Sequence, residues 1–533
     1  MGDRPVSRPR LLLLTPPLVQ TNAPYPATMH LTGYLRACGL KAEQRDLSIK
    51  VVRDVLLEYG GDEADQLLEL LSSTAVPAER KLEASRLVDE LAIWIRDHVD
   101  ASFGFSRYAE RVSAQAADFG EVEKLVRRRG VMDRPLARRL EEAIAETRPD
   151  VIGVTCPFPG TLVAAFKIAR YVRRRHPGVR LVLGGGFVST ELREMDDPRP
   201  RRYFDDILFD DGYAQMAKLL SPRMRPPVPT FVVPSYAGID WSDYFDVVET
   251  ENPMHRLWSV GRWRKLQMAR GCYWHRCAFC DVKLPYINCF EQPDAGQVVD
   301  AMAALAAELP DGESLGVHFV DEAMPPALVR KVSEEIVRRG LKVEWWGNVR
   351  FDRSFTPELA GMMAKAGCVA VTGGLECADD RLLKLMNKGI TLASAKRAMR
   401  AFRRAGIMVH AYLMYGFPTE TEAEAMGALD FVRGLIADGL VQSAFWHRFA
   451  LTVHSPIARE PARYGIEIVE GRRPRRFCRN ELQFAEPAAP DWGRLGRALE
   501  LAMYNFLEGR GLDKAPTYWK RVARRGTLQS QGV

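Results

Sequence analysis

The stretch KLQMARGCYWHRCAFC, residues 265–280, joins a short strand-like run to three closely spaced cysteines. Lys265–Ala269 has the character of a strand, and Cys272, Cys277 and Cys280 follow it in a single loop. The chain has 9 cysteines, and those outside this loop are mostly isolated along the sequence. That pattern differs from the disulfide framework of a secreted domain, and it indicates ligation in a reducing compartment.

Three alternatives account for the cysteine loop. Three thiolates can hold three irons of a 4Fe-4S cluster and leave the fourth iron open. A structural zinc site needs a fourth ligand, which Cys289 or His275 could supply. A redox Cys-x-x-Cys is the third alternative, although such a pair usually lies at a helix start in a thioredoxin-like unit. The spacing alone favours the cluster and leaves the other two open.

A repeating unit follows this loop, because four times a helical stretch ends in glycine and a strand-like run starts at once. These joints are at Gly340, Gly367, Gly406 and Gly439. Glycine just past a helix end takes the left-handed conformation that caps the helix, so each joint connects a helix to a strand. With strands at Lys265–Ala269 and Leu315–Val320, residues 264–451 are predicted to form six βα units. Such units form a partial (β/α) barrel, whose chemistry we expect at the carboxyl ends of the strands.

The preceding part of the chain alternates short apolar runs with helical stretches. Strands are predicted at Leu11–Thr15, Lys41–Leu47, Asp150–Cys156, Val179–Gly184 and Phe204–Phe209. Strands separated by helix-length segments indicate right-handed crossovers and a parallel, doubly wound sheet. Residues 1–221 are therefore predicted to form an α/β, Rossmann-like domain. About residues 50–147 have helical periodicity throughout and are predicted to be an all-helical insertion in it.

The remaining segments carry weaker patterns. Residues 222–263 are rich in proline and aromatic residues and are predicted to be a linker. Residues 452–533 form a C-terminal extension in which only a helix at about Gly493–Leu507 is predicted. No run approaches the roughly eighteen apolar residues of a membrane span, so we expect a soluble cytoplasmic protein. The formal net charge of +7 is modest for 533 residues and does not indicate a nucleic-acid partner.

The cysteine loop resembles the cluster loop of the radical S-adenosylmethionine (radical SAM) superfamily. That family places three cysteines after the first strand of a six-unit partial barrel, with an aromatic residue beside the last cysteine, as Phe279 is here. The usual spacing is Cys-x3-Cys-x2-Cys, whereas four residues separate Cys272 from Cys277. We expect the extra residue to reshape the loop without removing a ligand. The resemblance implies that Cys272, Cys277 and Cys280 hold a 4Fe-4S cluster, which binds S-adenosylmethionine and cleaves it to a 5′-deoxyadenosyl radical.

Three further segments resemble the family's pattern in the same order. Asp321 and Glu322 stand at the end of the second strand, where the family meets the amino group of S-adenosylmethionine. Gly373–Glu376 looks like its glycine-flanked carboxylate, and Tyr415–Glu420 resembles the turn that packs against adenine. The S-adenosylmethionine contacts that the resemblance implies are Phe279, Asp321, Glu322, Gly373, Gly374, Glu376 and Gly416.

The first domain lacks Gly-x-Gly-x-x-Gly after its first strand, which argues against a dinucleotide site. In radical SAM proteins such a leading domain resembles the cobalamin-binding domain, where small residues let the backbone approach a flat corrin ring. The cobalamin contacts that this resemblance implies are Thr15, Pro16, Thr155, Cys156, Gly184, Gly185, Gly186, Ser189, Asp211 and Gly212. Because the chain has no Asp-x-His-x-x-Gly, we expect no histidine ligand on the lower face of cobalamin from this domain. A degenerate scaffold without a cofactor is the alternative.

The two resemblances together imply a cobalamin-dependent radical SAM enzyme. The leading hypothesis is methyl transfer to an unactivated carbon of a small-molecule or natural-product substrate, with electrons from an external donor of the flavodoxin or ferredoxin type. Cobalamin-assisted rearrangement or ring formation without methyl transfer is the alternative within the same architecture. A non-catalytic, metal-stabilised binding protein is the alternative from another class. The sequence names neither the substrate nor a catalytic acid or base.

Overall fold

The computed structural model describes residues 9–73, 76–248, 250–260, 263–310, 313–469 and 475–525. The chain divides into two compact units. The first takes its described residues from Met1–Thr250, Ser259–Leu266 and Glu470–Glu481, and the second from Glu251–Trp258, Gln267–Val469 and Leu482–Val533. Residues 1–8 of the predicted first domain, residues 249, 261 and 262 of the predicted linker, and residues 470–474 and 526–533 of the predicted extension lie outside the described residues.

The first unit contains a five-stranded parallel sheet. Its strands are β1 (Leu11–Thr15), β2 (Ala42–Asp46), β3 (Val151–Thr155), β4 (Arg180–Gly184) and β5 (Asp206–Ile207). Their order in the sheet is β2–β1–β3–β4–β5, and every neighbouring pair is parallel. All residues of β1 and β3 are buried, as expected for central strands with both faces covered. This confirms the predicted doubly wound α/β fold, and the direction of winding reverses between β1 and β3.

Helices of the first unit surround this sheet. They are α1 (Pro26–Ala37), α2 (Leu47–Tyr59), α3 (Ala64–Ser72), α4 (Ala78–His98), α5 (Glu110–Gln115), α6 (Phe119–Arg127), α7 (Asp133–Thr147), α8 (Leu162–Arg175), α9 (Gly186–Thr190) and α10 (Tyr213–Leu220). The insertion between β2 and β3 is not all-helical as predicted, because Phe103–Gly104 pairs with Arg107–Tyr108 in a short antiparallel hairpin. The buried rings of Phe103 and Tyr108 favour this extended backbone over a helix.

Residues 222–248, which were expected to be part of a linker, pack into the first unit instead. Tyr236, Tyr244 and Phe245 are buried, and the Tyr244 hydroxyl donates to Asp46 Oδ2 at 2.7 Å. A buried ion pair also joins Asp246 to Lys81. Single aromatic and charged side chains anchor this segment, and such anchors leave no periodic pattern in the sequence. The helix α11 (Pro253–Val260) follows it.

The six-stranded parallel sheet of the predicted barrel is present. Its strands are β6 (Arg264–Leu266), β7 (Leu315–Phe319), β8 (Val343–Val349), β9 (Cys368–Glu376), β10 (Met408–Tyr415) and β11 (Ser443–Arg448). They follow one another in chain order across the sheet. The four predicted glycine joints all have positive φ, at 64° for Gly340, 85° for Gly367, 77° for Gly406 and 64° for Gly439. The sheet confirms the predicted six-unit partial barrel.

Helices lie between and after these strands. They are α12 (Pro285–Asn288), α13 (Ala295–Ala307), α14 (Pro326–Arg339), α15 (Pro357–Lys365), α16 (Asp380–Leu385), α17 (Leu392–Arg404), α18 (Glu422–Ala437), α19 (Pro456–Arg459), α20 (Trp492–Leu507) and α21 (Pro516–Arg525). The helix α20 agrees with the one helix predicted in the C-terminal extension. Within the described residues, no helix combines the length and the apolar character that crossing a bilayer requires.

The C-terminal extension contributes to both units. Phe477 and Cys478 are fully buried in the core of the first unit, and Arg476 N donates to the Ala117 carbonyl at 2.7 Å. In the second unit, the ring of Trp492 lies 6.2 Å from that of Tyr415 at the end of β10. The extension is therefore part of both cores.

Candidate functional site

The cysteine loop begins at a glycine that no other residue could replace without a shift of the chain. Gly271 has φ 73°, and a Cβ at this position would lie 1.5 Å from the Cys289 carbonyl oxygen. Next to it, Arg270 and Glu291 form an antiparallel bridge, and their side chains pair at 2.7 Å. These contacts fix where the loop leaves strand β6.

Trp274 anchors the middle of the same loop. Its indole Nε1 donates to the Asn387 carbonyl at 2.8 Å, and the Arg350 guanidinium lies 4.6 Å from the ring centre. A Cβ at Gly389 would come within 2.2 Å of the indole, so the absence of a side chain there makes the space for it. His275, the next residue, has φ 34° in the left-handed region. The four residues between Cys272 and Cys277 thus include one that fixes the loop to distant backbone.

The three cysteines of the loop differ in exposure. Cys277 is buried, whereas Cys272 and Cys280 are partly exposed. Burial raises the pKa of both Cys277 and Cys280. At Cys277 this effect is opposed by the positive charges of Lys388 and Arg350. The environment of Cys277 therefore contains cations that favour a thiolate, which is the form that binds metal.

The side chains of the cysteine loop are not arranged around a single metal ion. Among the described residues, no group of three or more His, Cys, Asp or Glu side chains is placed to hold one ion. In a four-iron cluster each cysteine binds a different iron, so its ligands need not converge on one point. His275, an alternative fourth ligand, directs Nδ1 to the Cys272 carbonyl oxygen at 2.9 Å.

Arg350 is a buried arginine beside the cysteine loop, and its partners show whether an anionic group fits there. Its side chain is 5% exposed, its Nη2 donates to the Lys388 carbonyl, and its Nε is buried without a hydrogen-bond partner. Within the described ranges it forms no ion pair with a carboxylate. An unpaired buried charge costs several kcal/mol, so the site is complete only with an anion. Three thiolates and their cluster carry net negative charge, and the donor set fits that group.

Asp321 and Glu322 point in different directions at the end of β7. The buried Asp321 carboxylate accepts hydrogen bonds from Met268 N at 2.8 Å and Ala269 N at 2.6 Å. Burial raises the pKa of Asp321 to about 7 against these two bonds. Glu322 is accessible to solvent, although surrounding protein raises its pKa. Asp321 therefore supports the backbone before the cysteine loop, and Glu322 is the one open to a ligand.

The end of β9 carries a buried ion pair. Glu376, with φ 57°, pairs with Lys388, and Lys388 Nζ lies 5.6 Å from the centre of the Phe279 ring. Burial works against the charged form of Lys388, but the Glu376 carboxylate holds its pKa above the usual value. A Cβ at Gly374 would lie 1.9 Å from Glu376 Oε1. Gly374 therefore makes room for the pair.

Gly373, the other glycine of this segment, is required by packing on the neighbouring strand. A Cβ at Gly373 would lie 2.7 Å from the Val349 carbonyl oxygen and 2.8 Å from the Phe351 ring. The predicted S-adenosylmethionine contact at this position thus has a structural reason to be glycine that does not involve a ligand.

The turn after β10 is organised by a carboxyl group that the sequence did not single out as a site residue. Gly416 has φ 78°, and its N–H donates to Glu420 Oε2 at 2.6 Å, with Phe417 N donating at 3.2 Å. Glu420 Oε1 is buried without a hydrogen-bond partner among the described residues. Burial raises the pKa of Glu420 to about 8.

Aromatic side chains line one face of the barrel strands. Tyr412 and Phe445 are opposite each other on β10 and β11 and are 40% and 36% exposed. His410 lies below them, with ring centres 4.7 Å from Tyr412 and 5.3 Å from Phe445. Burial lowers the pKa of His410 to about 3, so its imidazole is neutral. Tyr412 is also the register partner of Gly374, so the accessible rings adjoin the end of β9.

The switch point of the first unit has two unsatisfied hydroxyl groups. Thr15 and Thr155 are the last residues of the neighbouring strands β1 and β3, and they are 0% and 8% exposed. The Oγ1 atoms of both lack a hydrogen-bond partner in the described part of the chain. Ligands of open α/β sheets bind at this position, outside the carboxyl ends of the strands. Two buried, uncharged hydroxyls fit a large ligand with many amide groups, such as cobalamin.

Three of the other residues predicted to contact cobalamin have structural roles. Cys156 is fully buried, accepts from Thr161 Oγ1 at 3.3 Å, and has its pKa raised to about 12 by burial. Gly185 has φ 112°, and a Cβ there would lie 2.6 Å from Cys156 N. Ser189 Oγ accepts from Asp210 N at 2.8 Å.

The remaining residues of this predicted set lie at or next to strand ends. Asp211 Oδ1 accepts from Tyr213 N at 3.2 Å, and Gly212, with φ 69°, has open space where its Cβ would be. Pro16 is buried directly after β1. A Cβ would make only ordinary contact at Gly184 but would be close to the Pro157 carbonyl oxygen, at 3.3 Å, at Gly186.

Sequence reasoning missed Arg350, Lys388 and Glu420 as members of the site. Each follows a strand of the barrel by a different number of residues. Arg350 and Lys388 belong to no predicted motif, and Glu420 is the last residue of the predicted adenine turn but was not predicted as a contact. The one available signal was position, because Arg350 directly follows β8 and Glu420 follows β10 by five residues. Charged residues at the carboxyl ends of barrel strands are candidates for function.

Two family models match the chain. The Radical SAM superfamily matches residues 266–432, and the B12 binding domain matches residues 114–220. The first match contains the cysteine loop and strands β7 to β10, and the second contains β3 to β5. These matches confirm both resemblances that the sequence motifs carried.

Curated relatives share lower identity over part of the chain. An uncharacterized methyltransferase of Pyrococcus horikoshii is 23% identical over 336 residues, which are 56% of this chain and 67% of that protein. An anaerobic magnesium-protoporphyrin IX monomethyl ester cyclase of Cereibacter sphaeroides is 27% identical over 319 residues, 53% of this chain and 49% of the cyclase. The match thus spans only about half the length of the cyclase.

A solved structure has the same fold over most of the chain. It is the radical S-adenosylmethionine methyltransferase TsrM from Kitasatospora setae, with cobalamin and a 4Fe-4S cluster bound. The TM-score is 0.56 at 17% sequence identity, and the match covers 94% of this chain and 89% of TsrM. At this identity the likeness establishes the fold.

Proposed function

The chain belongs to the radical SAM proteins that carry a B12-binding domain, and we propose that it methylates an unactivated carbon of a small molecule. The two domains imply a 4Fe-4S cluster, S-adenosylmethionine and cobalamin as cofactors. The observation that carries the proposal is the loop of Cys272, Cys277 and Cys280 after β6, next to the unpaired buried Arg350. The methyltransferases among the similar proteins support the type of reaction.

In this proposal the chain's own residues bind and orient the cofactors. When bound, the cluster supplies the electron that cleaves S-adenosylmethionine to a 5′-deoxyadenosyl radical, and cobalamin carries the methyl group. Glu376, paired with Lys388 at the end of β9, is placed to accept hydrogen bonds from the ammonium or ribose of S-adenosylmethionine. The rigid Gly416 turn offers a surface for adenine. We expect an external donor of the flavodoxin or ferredoxin type to supply the electron.

The accessible rings of the barrel suggest where the substrate lies. Tyr412 and Phe445 are large, partly exposed and next to Gly374, which is part of the proposed S-adenosylmethionine site. The His410 beneath them is neutral, so it adds no charge to the surface formed by these rings. A substrate that presents a flat or apolar group to these rings would bind by stacking and by exclusion of water.

Ring formation without methyl transfer is the second candidate, and the similarity to the cyclase favours it. Product mass separates the two reactions, because methyl transfer adds one carbon to the substrate and ring closure does not. A product of unchanged carbon count would replace the first proposal with the second.

The test of the proposal is anaerobic reconstitution of the purified chain with iron, sulfide and hydroxocobalamin. We expect one 4Fe-4S cluster and retained cobalamin, and reductant with S-adenosylmethionine should give 5′-deoxyadenosine or S-adenosylhomocysteine.

Cys280→Ala should reduce cluster content and S-adenosylmethionine cleavage at least tenfold. Cys289→Ala is the matched control and should leave both unchanged, because Cys289 lies beside the loop and outside the three-cysteine motif. Stoichiometric zinc in a folded protein without iron would contradict the proposal.

A further inference from the structure

Arg350 is a buried cation held in a fixed position beside the cysteine loop. It directly follows β8, and its guanidinium lies between backbone and aromatic rings. Its Nη2 donates to the Lys388 carbonyl, and the ring centres of Trp274 and Tyr273 lie 4.6 and 5.8 Å from Cζ. Both rings belong to the loop residues between Cys272 and Cys277. The cation is therefore coupled to the cysteine loop by direct packing.

The charges around Arg350 do not cancel among themselves. Lys388, the neighbouring cation, is paired with Glu376. The carboxylate nearest to Arg350 along the chain, Asp352, accepts hydrogen bonds from the Tyr273 hydroxyl at 2.9 Å and from Ser354 N at 2.8 Å. In the described part of the chain, Arg350 makes no ion pair. Among the described residues, no carboxylate therefore lies within ion-pair distance of Arg350, whose guanidinium packs on the loop residues Tyr273 and Trp274.

We propose that Arg350 is the fixed counter-charge of the iron–sulfur cluster and raises its reduction potential. The inference rests on the cluster of the proposed function, and it assigns a positioning and electrostatic role to a residue outside the cysteine motif. Net charge and hydrogen bonding around the cysteines are among the terms that set cluster potentials. One-electron reduction adds one negative charge to the cluster, takes that electron from an external reductant, and makes or breaks no covalent bond in the protein. A buried cation packed against the cysteine loop would stabilise the reduced form, because the surrounding protein screens it weakly.

An arginine suits this role better than a lysine does. The guanidinium stays charged at all accessible pH values and stacks on aromatic faces, so burial does not neutralise it. Its contact with Trp274 also fixes the position of the guanidinium relative to the loop. The carboxylate of S-adenosylmethionine is another anion that could pair with Arg350, and measurement without S-adenosylmethionine separates the two.

The experiment is a potentiometric titration of the reconstituted chain without S-adenosylmethionine, with the reduced cluster followed by electron paramagnetic resonance. In Arg350→Gln we expect the ratio of reduced to oxidised cluster at a given potential to fall at least tenfold, which is a 59 mV lower potential for one electron. Arg350→Lys keeps the charge and should retain most of the wild-type potential. Arg353→Gln is the matched control, because Arg353 is an exposed arginine three residues along the same segment, and it should leave the potential unchanged.

Each result decides the inference. A wild-type potential in Arg350→Gln at full cluster content would overturn it, and so would a fall in Arg350→Lys as large as in Arg350→Gln. If Arg350→Gln takes up no cluster, the Lys variant decides, with a retained potential supporting the counter-charge. Weakened binding of S-adenosylmethionine at unchanged potential would assign Arg350 to that carboxylate instead. A wild-type chain that takes up no cluster would refute the proposed function itself, which is a different failure from any of these.

Discussion

The cysteine loop of the second unit and the strand ends of the first unit are both incomplete without a ligand, but to different degrees. Beside the loop, the unsatisfied group is Nε of the charged Arg350 side chain, which has no ion pair among the described residues. At the ends of β1 and β3, the unsatisfied groups are the neutral hydroxyls of Thr15 and Thr155. A buried unpaired charge costs several kcal/mol, and a buried unpaired hydroxyl costs about 1–3 kcal/mol. The folded second unit should therefore depend more strongly on its cofactor than the first.

The first prediction tests whether Trp274 anchors the cysteine loop. Gly389→Ala places a Cβ within 2.2 Å of the Trp274 indole at φ 75°, so it should displace the loop and sharply reduce cluster content. Gly406→Ala is the control, because Gly406 has φ 77° but open space around its Cβ position. We expect the free energy of unfolding to fall by about 2 kcal/mol more in Gly389→Ala than in the control. Equal losses in urea unfolding, with equal iron content, would show that Trp274 does not anchor the loop.

The parts of the fold that the sequence predicted correctly are those that depend on local patterns. The glycines that follow helix ends, such as Gly367 and Gly406, adopt a left-handed conformation. Glycine adopts this conformation more readily than other residues, so its presence in the sequence predicts the helix end. The cysteine spacing is equally local. Both kinds of pattern lie within a few residues, so a single sequence is enough to interpret them.

The roles that the sequence left open are those that depend on distant backbone. Asp321 and Glu322 are adjacent carboxylates, but only Asp321 meets the N–H groups of Met268 and Ala269, more than fifty residues away in the chain. Arg350 acquires its position from Trp274 and from the Lys388 carbonyl. Such partners are set by tertiary packing, and no spacing rule in the sequence specifies them.

The second prediction concerns the pH dependence of stability that Glu420 should cause in the second unit, and that the threonine hydroxyls of the first unit should not cause. Burial raises the pKa of Glu420 to about 8, well above its value of about 4.5 in the unfolded chain. Stability from the protonated form is therefore fully present below about pH 4.5 and is lost as pH rises toward 8, by up to about 4 kcal/mol. In Glu420→Gln the amide oxygen can still accept from Gly416 N and Phe417 N, and this dependence should disappear.

Unfolding measured from pH 5 to 9 checks this prediction. The wild-type chain should lose stability relative to Glu420→Gln as pH rises, and most of the change should occur below about pH 8. A constant difference between the two proteins across this range would show that Glu420 is already ionised in the fold. It would also remove the expected contrast with the hydroxyl site of the first unit, which has no such titration.

The last prediction concerns the smaller cost at the ends of β1 and β3. Thr155→Val removes a buried hydroxyl that has no partner among the described residues. The free energy of unfolding of the cofactor-free protein should therefore stay the same or rise by about 1 kcal/mol. The variant should bind hydroxocobalamin several-fold more weakly. Thr15→Val should behave in the same way. Thr147→Val is the control of opposite sign, because its buried hydroxyl donates to the Ala143 carbonyl at 2.7 Å near the end of α7. It should lose about 1 kcal/mol and leave cobalamin affinity unchanged. Equilibrium dialysis and urea unfolding measure both quantities. Destabilisation by Thr155→Val with unchanged cobalamin affinity would mean that the hydroxyl serves the fold and not the ligand.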